Sequence, residues 1–237
     1  MTHPSGSGDL WRGPNIVALI AIFIVCLGVG AFLAVYQRVR SELPSIARLE
    51  DWRPNLITKV FSRDGDLIAE FASERREIIP LAEVPPVFIR AILATEDRAF
   101  FEHDGIHLRG AMRALLHNVA TGQPTGQGFS TITMQLSRNL FLTPEKRFIR
   151  KFKEMILAHE IEEHYTKQRI LEMYVNQVYF GSGAYGIESA SRLYFGKPAT
   201  RLSLPEASLL AGIVQAPSRQ SPRVSMEAGV ARSANML

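Results

Sequence analysis

The residues best suited to chemistry are concentrated in a stretch of eleven, Thr95–Gly105. It contains one histidine, His103, and four carboxylates, namely Glu96, Asp97, Glu102 and Asp104. The stretch follows an apolar run that ends at Ala94. A carboxylate at the end of an apolar helix is partly removed from water, which disfavours its charged form and raises its pKa toward values that suit a general base. A solvated helix end has the same composition, so the stretch alone leaves both interpretations open.

A second charged cluster lies about fifty residues further on, where Arg150-Lys151-Phe152-Lys153-Glu154 follows Lys146. Neighbouring cations favour the ionised form of Glu154, which is opposite to the effect of an apolar wall on Glu96. Two carboxylates in such different surroundings are typical of divided acid and base roles. A salt-bridged surface helix would look similar. Helical periodicity predicts a buried row on this helix made of Phe148, Phe152, Met155 and His159.

Between these clusters, residues 121–128 contain three glycines and a proline, which predicts a loop, and flexible glycines beside a cleft often belong to a lid. The next residues, 128–136, lead from a glycine turn into a helix. The free N–H groups at such a helix start can bind an anion. An ordinary N-cap by Ser130 or Thr131 explains the same pattern equally well.

The elements that must position these groups follow from local signals. Pro85-Pro86 opens the helix that carries Glu96, and Asp64-Gly65 between two alternating runs predicts a β-hairpin. A helix is expected from about Leu108 to Ala120. Later helix starts are predicted at Thr143-Pro144, at Thr166 and at the capping box Ser203-Leu204-Pro205-Glu206. The apolar row that supports Glu96 consists of Phe88, Ala91, Ile92 and Thr95.

The overall composition sets wider limits. The chain has 237 residues and is 46% hydrophobic, which is enough for one sizeable domain. A net charge of +4 would suit nucleic acid, anionic lipid or a phosphorylated substrate, so charge alone does not choose between them. The single cysteine, Cys26, excludes an internal disulfide and a metal site built on paired thiols.

A membrane anchor is predicted near the N-terminus. Residues 16–36 carry no charge and would form a helix of about 31 Å, long enough to cross a bilayer. A cleaved signal peptide is the rival interpretation, although its apolar core is normally only about 7 to 15 residues long. Arginines stand on both sides, at Arg12 and at Arg38 and Arg40, so charge counting leaves the orientation open.

Five segments in one order resemble the signature motifs of the peptidoglycan glycosyltransferase family, the lysozyme-like domain of class A penicillin-binding proteins and of monofunctional transglycosylases. The first, residues 96–105, is similar to E-D-x-x-F-x-x-H-x-G, and the second, 128–135, to G-x-S-T-I-T-x-Q. The third, 150–154, is similar to R-K-x-x-E, and the fourth and fifth are residues 170–176 and 206–217.

The resemblance implies a mainly α (α+β) fold, a lysozyme-like two-lobed domain with an N-terminal transmembrane helix and a short β-hairpin. The expected organisation is a cytoplasmic tail at 1–14, the transmembrane helix at 15–37, a linker and hairpin at 38–75, the glycosyltransferase domain at 76–222 and a truncated C-terminal segment at 223–237. It also implies a single-pass protein of the cell (inner) membrane whose catalytic domain is periplasmic or extracellular.

For activity, the resemblance implies that the 4-hydroxyl of lipid II attacks the anomeric carbon of a growing glycan and expels undecaprenyl diphosphate. Glu96 and Glu154 are the expected catalytic residues, with Glu96 as general base. The expected substrate-binding residues are Asp97, Phe100, His103, Ser130, Thr131, Gln135, Arg138, Lys146, Arg150, Lys151, Lys153 and Asn176. No cofactor is required for certain, and a divalent ion near Glu154, Mg²⁺ or Mn²⁺, is left open.

The expected partners are lipid II, the nascent glycan and the membrane, with cell-division or elongation proteins left open and no nucleic acid. This chain departs from the family pattern at Phe129, Met134 and Ile213-Val214, which puts the tightness of the donor site in doubt. Two alternatives therefore stay open. A muramidase that hydrolyses the same glycan also needs two carboxylates, and a catalytically weak membrane scaffold would tolerate these departures.

Overall fold

A computed structural model describes residues 16–44, 58–64, 67–71, 75–122, 130–142 and 147–217. The chain divides into two compact units, residues 1–43 and 44–237. In the first unit the described element is a single helix, α1 (Ile16–Glu42), which continues beyond the predicted end at residue 37. Its most apolar 18-residue window has a mean hydropathy of 3.0. By length and composition α1 can cross a membrane, a test that a signal sequence near the N-terminus also passes.

The second unit is mainly helical, which confirms the predicted fold class. Its helices are α2 (Pro86–Glu96), α3 (Leu108–Thr121), α4 (Ile132–Phe141), α5 (Arg147–His164), α6 (Lys167–Gln177), α7 (Ile187–Phe195) and α8 (Leu204–Ile213). Its strands are β1 (Thr58–Phe61), β2 (Leu67–Phe71), β3 (Arg75–Arg76) and β4 (Ala184–Tyr185).

The strands form two small sheets. β1 and β2 pair antiparallel, with Thr58 opposite Phe71, which confirms the predicted hairpin. β3 pairs with β4 in parallel over two residues each, a contact that the sequence did not predict. It joins the start of the domain to the turn that follows α6, and the Arg76 guanidinium lies 5.1 Å from the centre of the Tyr185 ring.

The core is built around α2, which packs on α8, and around α4, which packs on α5 and α6. Phe88 and Ile92 of α2 are fully buried, as the predicted row required. Burying each such side chain contributes about 1.5 to 3 kcal/mol relative to leaving it in water. The predicted capping box begins α8, where the Ser203 N–H donates to Glu206 Oε2 at 2.8 Å. Together these contacts place the last residue of α2, Glu96, at a fixed point of the core.

The predicted buried row of α5 is wrong. The His159 side chain is 58% exposed and pairs with Glu163, while the fully buried apolar positions on this helix include Leu157 and Ile161. Glu154 is also buried, with 1% of its residue surface exposed. The helix therefore buries a carboxylate, against the apolar periodicity. The side chain of Phe148 lies outside the described residues.

Candidate active site

Glu96 is held at the end of α2 by a hydrogen bond from the neighbouring helix α4. The helix stops at Asp97, whose N–H still donates to the Leu93 carbonyl at 3.0 Å, so Glu96 completes the last turn. Glu96 Oε2 accepts a hydrogen bond from Gln135 Nε2 at 2.7 Å. The carboxylate is half-buried and has a directed donor, as a positioned general base requires.

Asp97 ties the first motif to the second. It is only 7% exposed, and its two oxygens accept from His103 Nε2 at 3.1 and 3.0 Å. Asp97 Oδ2 also accepts from the backbone N–H of Ile132 at 3.1 Å, which satisfies one of the free donors at the start of α4. Asp97 and His103, both predicted to bind substrate, therefore fix the frame around Glu96.

Thr131 and Gly105 make a second link between these segments. The Thr131 hydroxyl donates to the Gly105 carbonyl at 2.6 Å and accepts from the Met134 N–H at 3.2 Å. The N-cap interpretation of this helix start is thus confirmed, with Thr131 as the cap. Gly105 has φ +83°, and a Cβ there would lie 2.8 Å from the Ala158 carbonyl oxygen. Only glycine allows α5 to approach this closely.

A network that the sequence did not predict supports the same stretch from the side of α5 and α6. Lys167 donates to the His103 carbonyl and to Glu162 at 2.8 Å, and its ammonium lies 4.5 Å from the centre of the Phe100 ring. Phe100 is fully buried, which makes it a packing residue for the 95–105 stretch. Its predicted contact with substrate stays a prediction.

The second half of the site is a cluster of cations around Glu154. Lys151 Nζ donates to Glu154 Oε2 at 2.9 Å and to the Ser130 hydroxyl at 2.5 Å. Arg150 Nε lies 3.5 Å from Glu154 Oε1. Burial lowers the pKa of Lys151, while the hydrogen bond and charge of Glu154 raise it and the positive charges of Arg138 and Arg150 lower it. Glu154 thus offsets part of the cost of gathering these cations.

A cavity of about 510 Å³ brings the two halves together. Its lining includes Glu96 and Asp97 from the first stretch and Ser130 and Thr131 from the second, and Ser130 is the residue whose hydroxyl accepts from Lys151. Glu102, one of the four carboxylates of the first stretch, also lines the cavity, together with Arg98, His107 and Arg113, which the sequence did not single out. Arg98 and Arg113 add positive charge to the cavity wall, which suits an anionic ligand.

The structure does not place Lys146, Lys153 or Asn176, all predicted to bind substrate, on the wall of this cavity. Lys146 lies outside the described residues. Lys153 is buried on α5, with 8% of its surface exposed. The Asn176 amide accepts from the Ile79 N–H at 3.0 Å and donates to the Ile79 carbonyl at 2.9 Å, so it fastens the segment before α2 to α6. The binding roles of these residues stay predictions.

A divalent ion at Glu154 does not fit the residues present. Both carboxylate oxygens already face cations, Oε1 toward Arg150 and Oε2 toward Lys151. Within the described ranges, no group of three or more histidine, cysteine, aspartate or glutamate side chains is arranged to hold a metal. A hard cation prefers several oxygen ligands, and here it would have to displace two positive side chains.

Tyr174 is the polar neighbour of the site that the sequence did not single out. It is fully buried on α6, and its hydroxyl donates to Gln135 Oε1 at 3.3 Å. In the sequence it belongs to an apolar row with Ile170, Leu171 and Val175, which indicates a core residue. The feature that could have drawn attention to Tyr174 is its hydroxyl, because a buried tyrosine hydroxyl usually has a hydrogen-bond partner.

Comparison with known proteins shows the family to which this helical domain belongs. The family model described as Transglycosylase matches residues 64–237, and the chain belongs to this family. Among its relatives, penicillin-binding protein 1A of Escherichia coli (strain K12) is 41% identical over 214 residues, which are 90% of this chain and 25% of the relative. Penicillin-binding protein 1A of Vibrio cholerae is 42% identical over 214 residues, 90% of this chain and 26% of the relative.

Penicillin-binding protein 1A of Pseudomonas aeruginosa is 42% identical over 204 residues, 86% of this chain and 25% of the relative. The chain thus spans about a quarter of the length of the curated relatives it matches. A solved structure, penicillin-binding protein 1A from Haemophilus influenzae, is 24% identical with a TM-score of 0.43 and covers 78% of this chain and 18% of that one.

Proposed function

We propose that this chain polymerises the glycan strands of peptidoglycan. In this reaction the 4-hydroxyl of lipid II attacks the anomeric carbon of a growing glycan that is still attached to its lipid diphosphate. A new C–O bond forms as the bond to the diphosphate breaks, and undecaprenyl diphosphate leaves with the electron pair. A single displacement of this kind inverts the anomeric centre.

Glu96 is the general base in this proposal. It takes the proton of the 4-hydroxyl as that oxygen attacks, and the Gln135 amide holds its carboxylate in place at 2.7 Å. The supporting geometry is that Glu96 lines the cavity and ends a helix whose buried row is anchored in the core. Asp97 also lines the cavity, but its carboxylate already accepts hydrogen bonds from His103 and from the N-terminus of α4, so Glu96 is the better candidate for the base.

The cations around Glu154 stabilise the leaving diphosphate. Charge-assisted hydrogen bonds from lysine and arginine are stronger than neutral ones, and they act most strongly where negative charge develops in the transition state. Lys151 donates a hydrogen bond to Ser130, a residue of the cavity wall, and Arg150 and Arg138 add to the local charge. Glu154 positions these side chains and is not proposed to touch the substrate.

One observation carries the proposal: the cavity that Glu96 lines is also lined by Ser130, whose hydroxyl accepts a hydrogen bond from Lys151. A glycan polymerase using a diphosphate-linked donor needs both halves. A muramidase has no use for a cation cluster beside its acid and base, and a scaffold has no use for the directed Gln135–Glu96 hydrogen bond.

We further propose that α1 keeps the cavity within reach of a lipid-bound substrate, with the protein in the cell membrane and the catalytic domain outside the cytoplasm. The length and apolar composition of α1 support the membrane location, and the resemblance to the peptidoglycan glycosyltransferase family supports the position of the catalytic domain. The substrate is held in the membrane by its lipid. An enzyme anchored in the same membrane therefore loses less translational freedom when it binds that substrate.

The test is polymerisation of lipid II by the full chain in detergent. The wild type is expected to produce polymer, and Glu96→Gln to lower the rate by about 10²- to 10⁴-fold because the base is lost. Asp104→Asn is the matched control, since Asp104 belongs to the same stretch but is exposed and outside the cavity wall. Glu96→Gln that polymerises normally would refute the proposal. Release of reducing ends from finished peptidoglycan without lipid II would instead favour the muramidase.

A further inference from the structure

A buried hydrogen-bonded chain leads from α6 through α4 to the proposed base. The hydroxyl of Tyr174 donates to Gln135 Oε1 at 3.3 Å, and the Nε2 of the same amide donates to Glu96 Oε2 at 2.7 Å. Tyr174 has no exposed surface, so its ring is fixed by the core on all sides. The hydroxyl reaches Glu96 only through the amide of Gln135.

The orientation of the Gln135 amide decides whether it supports Glu96. An ionised carboxylate only accepts hydrogen bonds, so the NH₂ end of the amide must face it, and a rotated amide would present its oxygen and repel the charge. In the productive orientation the Tyr174 hydroxyl donates to the carbonyl end of the amide, and this hydrogen bond helps to hold the amide there. Burial, and then the negative charge of Glu96, raise the pKa of Tyr174 well above its usual value, so the hydroxyl keeps its proton.

We propose that Tyr174 is a positioning residue that aims Glu96 through Gln135, an inference that rests on the proposed role of Glu96 as base. Tyr174 is not among the residues that line the cavity, and its proposed effect on Glu96 passes through the amide of Gln135. Preorganised donors of this kind matter because small displacements of a reacting group lower the rate strongly.

The test must separate the effect of Tyr174 from the effects of other charged groups around the cavity and the Tyr174–Gln135 hydrogen bond. Asp97 adjoins Glu96 on the chain, Arg138 lies on the same helix as Gln135, and the remaining titratable or charged groups of the cavity wall are Arg98, Glu102, His107 and Arg113. None of these is altered when only the hydroxyl of Tyr174 is removed. Tyr174→Phe therefore isolates one hydrogen bond.

The experiment measures the Glu96 carboxyl by ¹³C NMR in the full chain in detergent micelles, labelled at glutamate, with its resonance assigned by its loss in Glu96→Gln. Tyr174→Phe is expected to raise the pKa of Glu96, because the charged form loses an oriented donor. Tyr194→Phe is the matched control, since it removes a part-buried hydroxyl that donates to the Phe180 carbonyl at 2.9 Å, away from Gln135. It is expected to leave the Glu96 titration unchanged.

Gln135→Met provides the second arm. If Tyr174 acts through the amide, Tyr174→Phe shifts the Glu96 titration in the wild type and has no further effect when Gln135→Met is present. An unchanged titration in Tyr174→Phe, or an equal additional shift in the double variant, would overturn the proposal. In the polymerisation assay Tyr174→Phe is expected to lower kcat about fivefold with KM unchanged. The NMR arm decides the positioning role independently, so an inactive wild type would refute the proposed function alone.

Discussion

Replacing Glu154 with glutamine should reveal how strongly the cation cluster depends on one buried carboxylate. The substitution keeps the side-chain shape but leaves Lys151 and Arg150 without their shared counter-charge. At 2.9 Å and an effective dielectric constant of about 20, the attraction between Lys151 and Glu154 is about 6 kcal/mol before desolvation is subtracted. Breaking a buried pair by removing one partner typically costs 3 to 5 kcal/mol. Because a quarter of the Lys151 side chain is exposed, we expect a loss of about 3 kcal/mol in the free energy of unfolding.

The same substitution should change the pH dependence of polymerisation. Burial already lowers the pKa of Lys151, and Glu154 is the group that raises it, so Glu154→Gln lowers it further. Lys151 then loses its proton at a lower pH, and the alkaline limb of the kcat profile moves to lower pH. The direction in which Lys151 changes the free energy of unfolding with pH also follows. A lysine whose folded pKa lies below its unfolded value of 10.5 contributes increasing stability as pH rises between the two values.

The measurements are initial rates of lipid II polymerisation across alkaline pH and denaturant unfolding at fixed pH. Glu163→Gln is the control, because Glu163 lies on the same helix, 59% of its side chain is exposed, and its contact with His159 is at the surface. That variant should match the wild type in both assays. An alkaline limb that stays in place in Glu154→Gln would refute the reasoning about Lys151, even if activity fell for another reason.

Two further predictions concern the frame of the site. Gly105→Ala places a Cβ 2.8 Å from the Ala158 carbonyl oxygen at φ +83°, whereas Gly183→Ala has φ +79° and no atom within 4 Å. Both variants carry about 1 kcal/mol of backbone strain, so thermal unfolding should show a larger loss in Gly105→Ala, and equal losses would contradict the clash. The hydrogen bond from Lys197 is the largest cause that lowers the pKa of Glu206 to about 2. Glu206→Gln keeps a carbonyl acceptor for the capping box but loses the ion pair with Lys197, so it should cost up to about 1 kcal/mol above pH 4.5, and this difference should vanish as pH falls toward 2. A difference that persists in strong acid would exclude the ionised carboxylate as its source.

Local signals in the sequence predicted much of the fold and both halves of the site. The helix that ends at Glu96, the hairpin and the capping box at Ser203 each depend on residues close together in the chain, and the structure contains all three. The pairing of β3 with β4 depends on two residues from each of two segments more than a hundred positions apart, and no local pattern encodes it.

The errors on α5 and at Tyr174 have a different physical origin. Apolar periodicity favoured Phe152 and His159 as the buried face of α5, but the helix instead buries Glu154, because the charge is balanced by cations on the same helix. Tyr174 lies in an apolar row and looks like a packing residue, and only the position of Gln135 in space shows what its hydroxyl does. Functional polar groups in a core contradict the pattern from which a core is predicted.

The hydrogen bond from the Ile132 N–H to Asp97 has a consequence for how this domain can vary. It joins the first motif directly to the start of the second, so the connection between residues 122 and 130 does not have to set their spacing. Changes of length in residues 123–127, which precede the second motif, should therefore leave the relative positions of Glu96 and Ser130 unchanged.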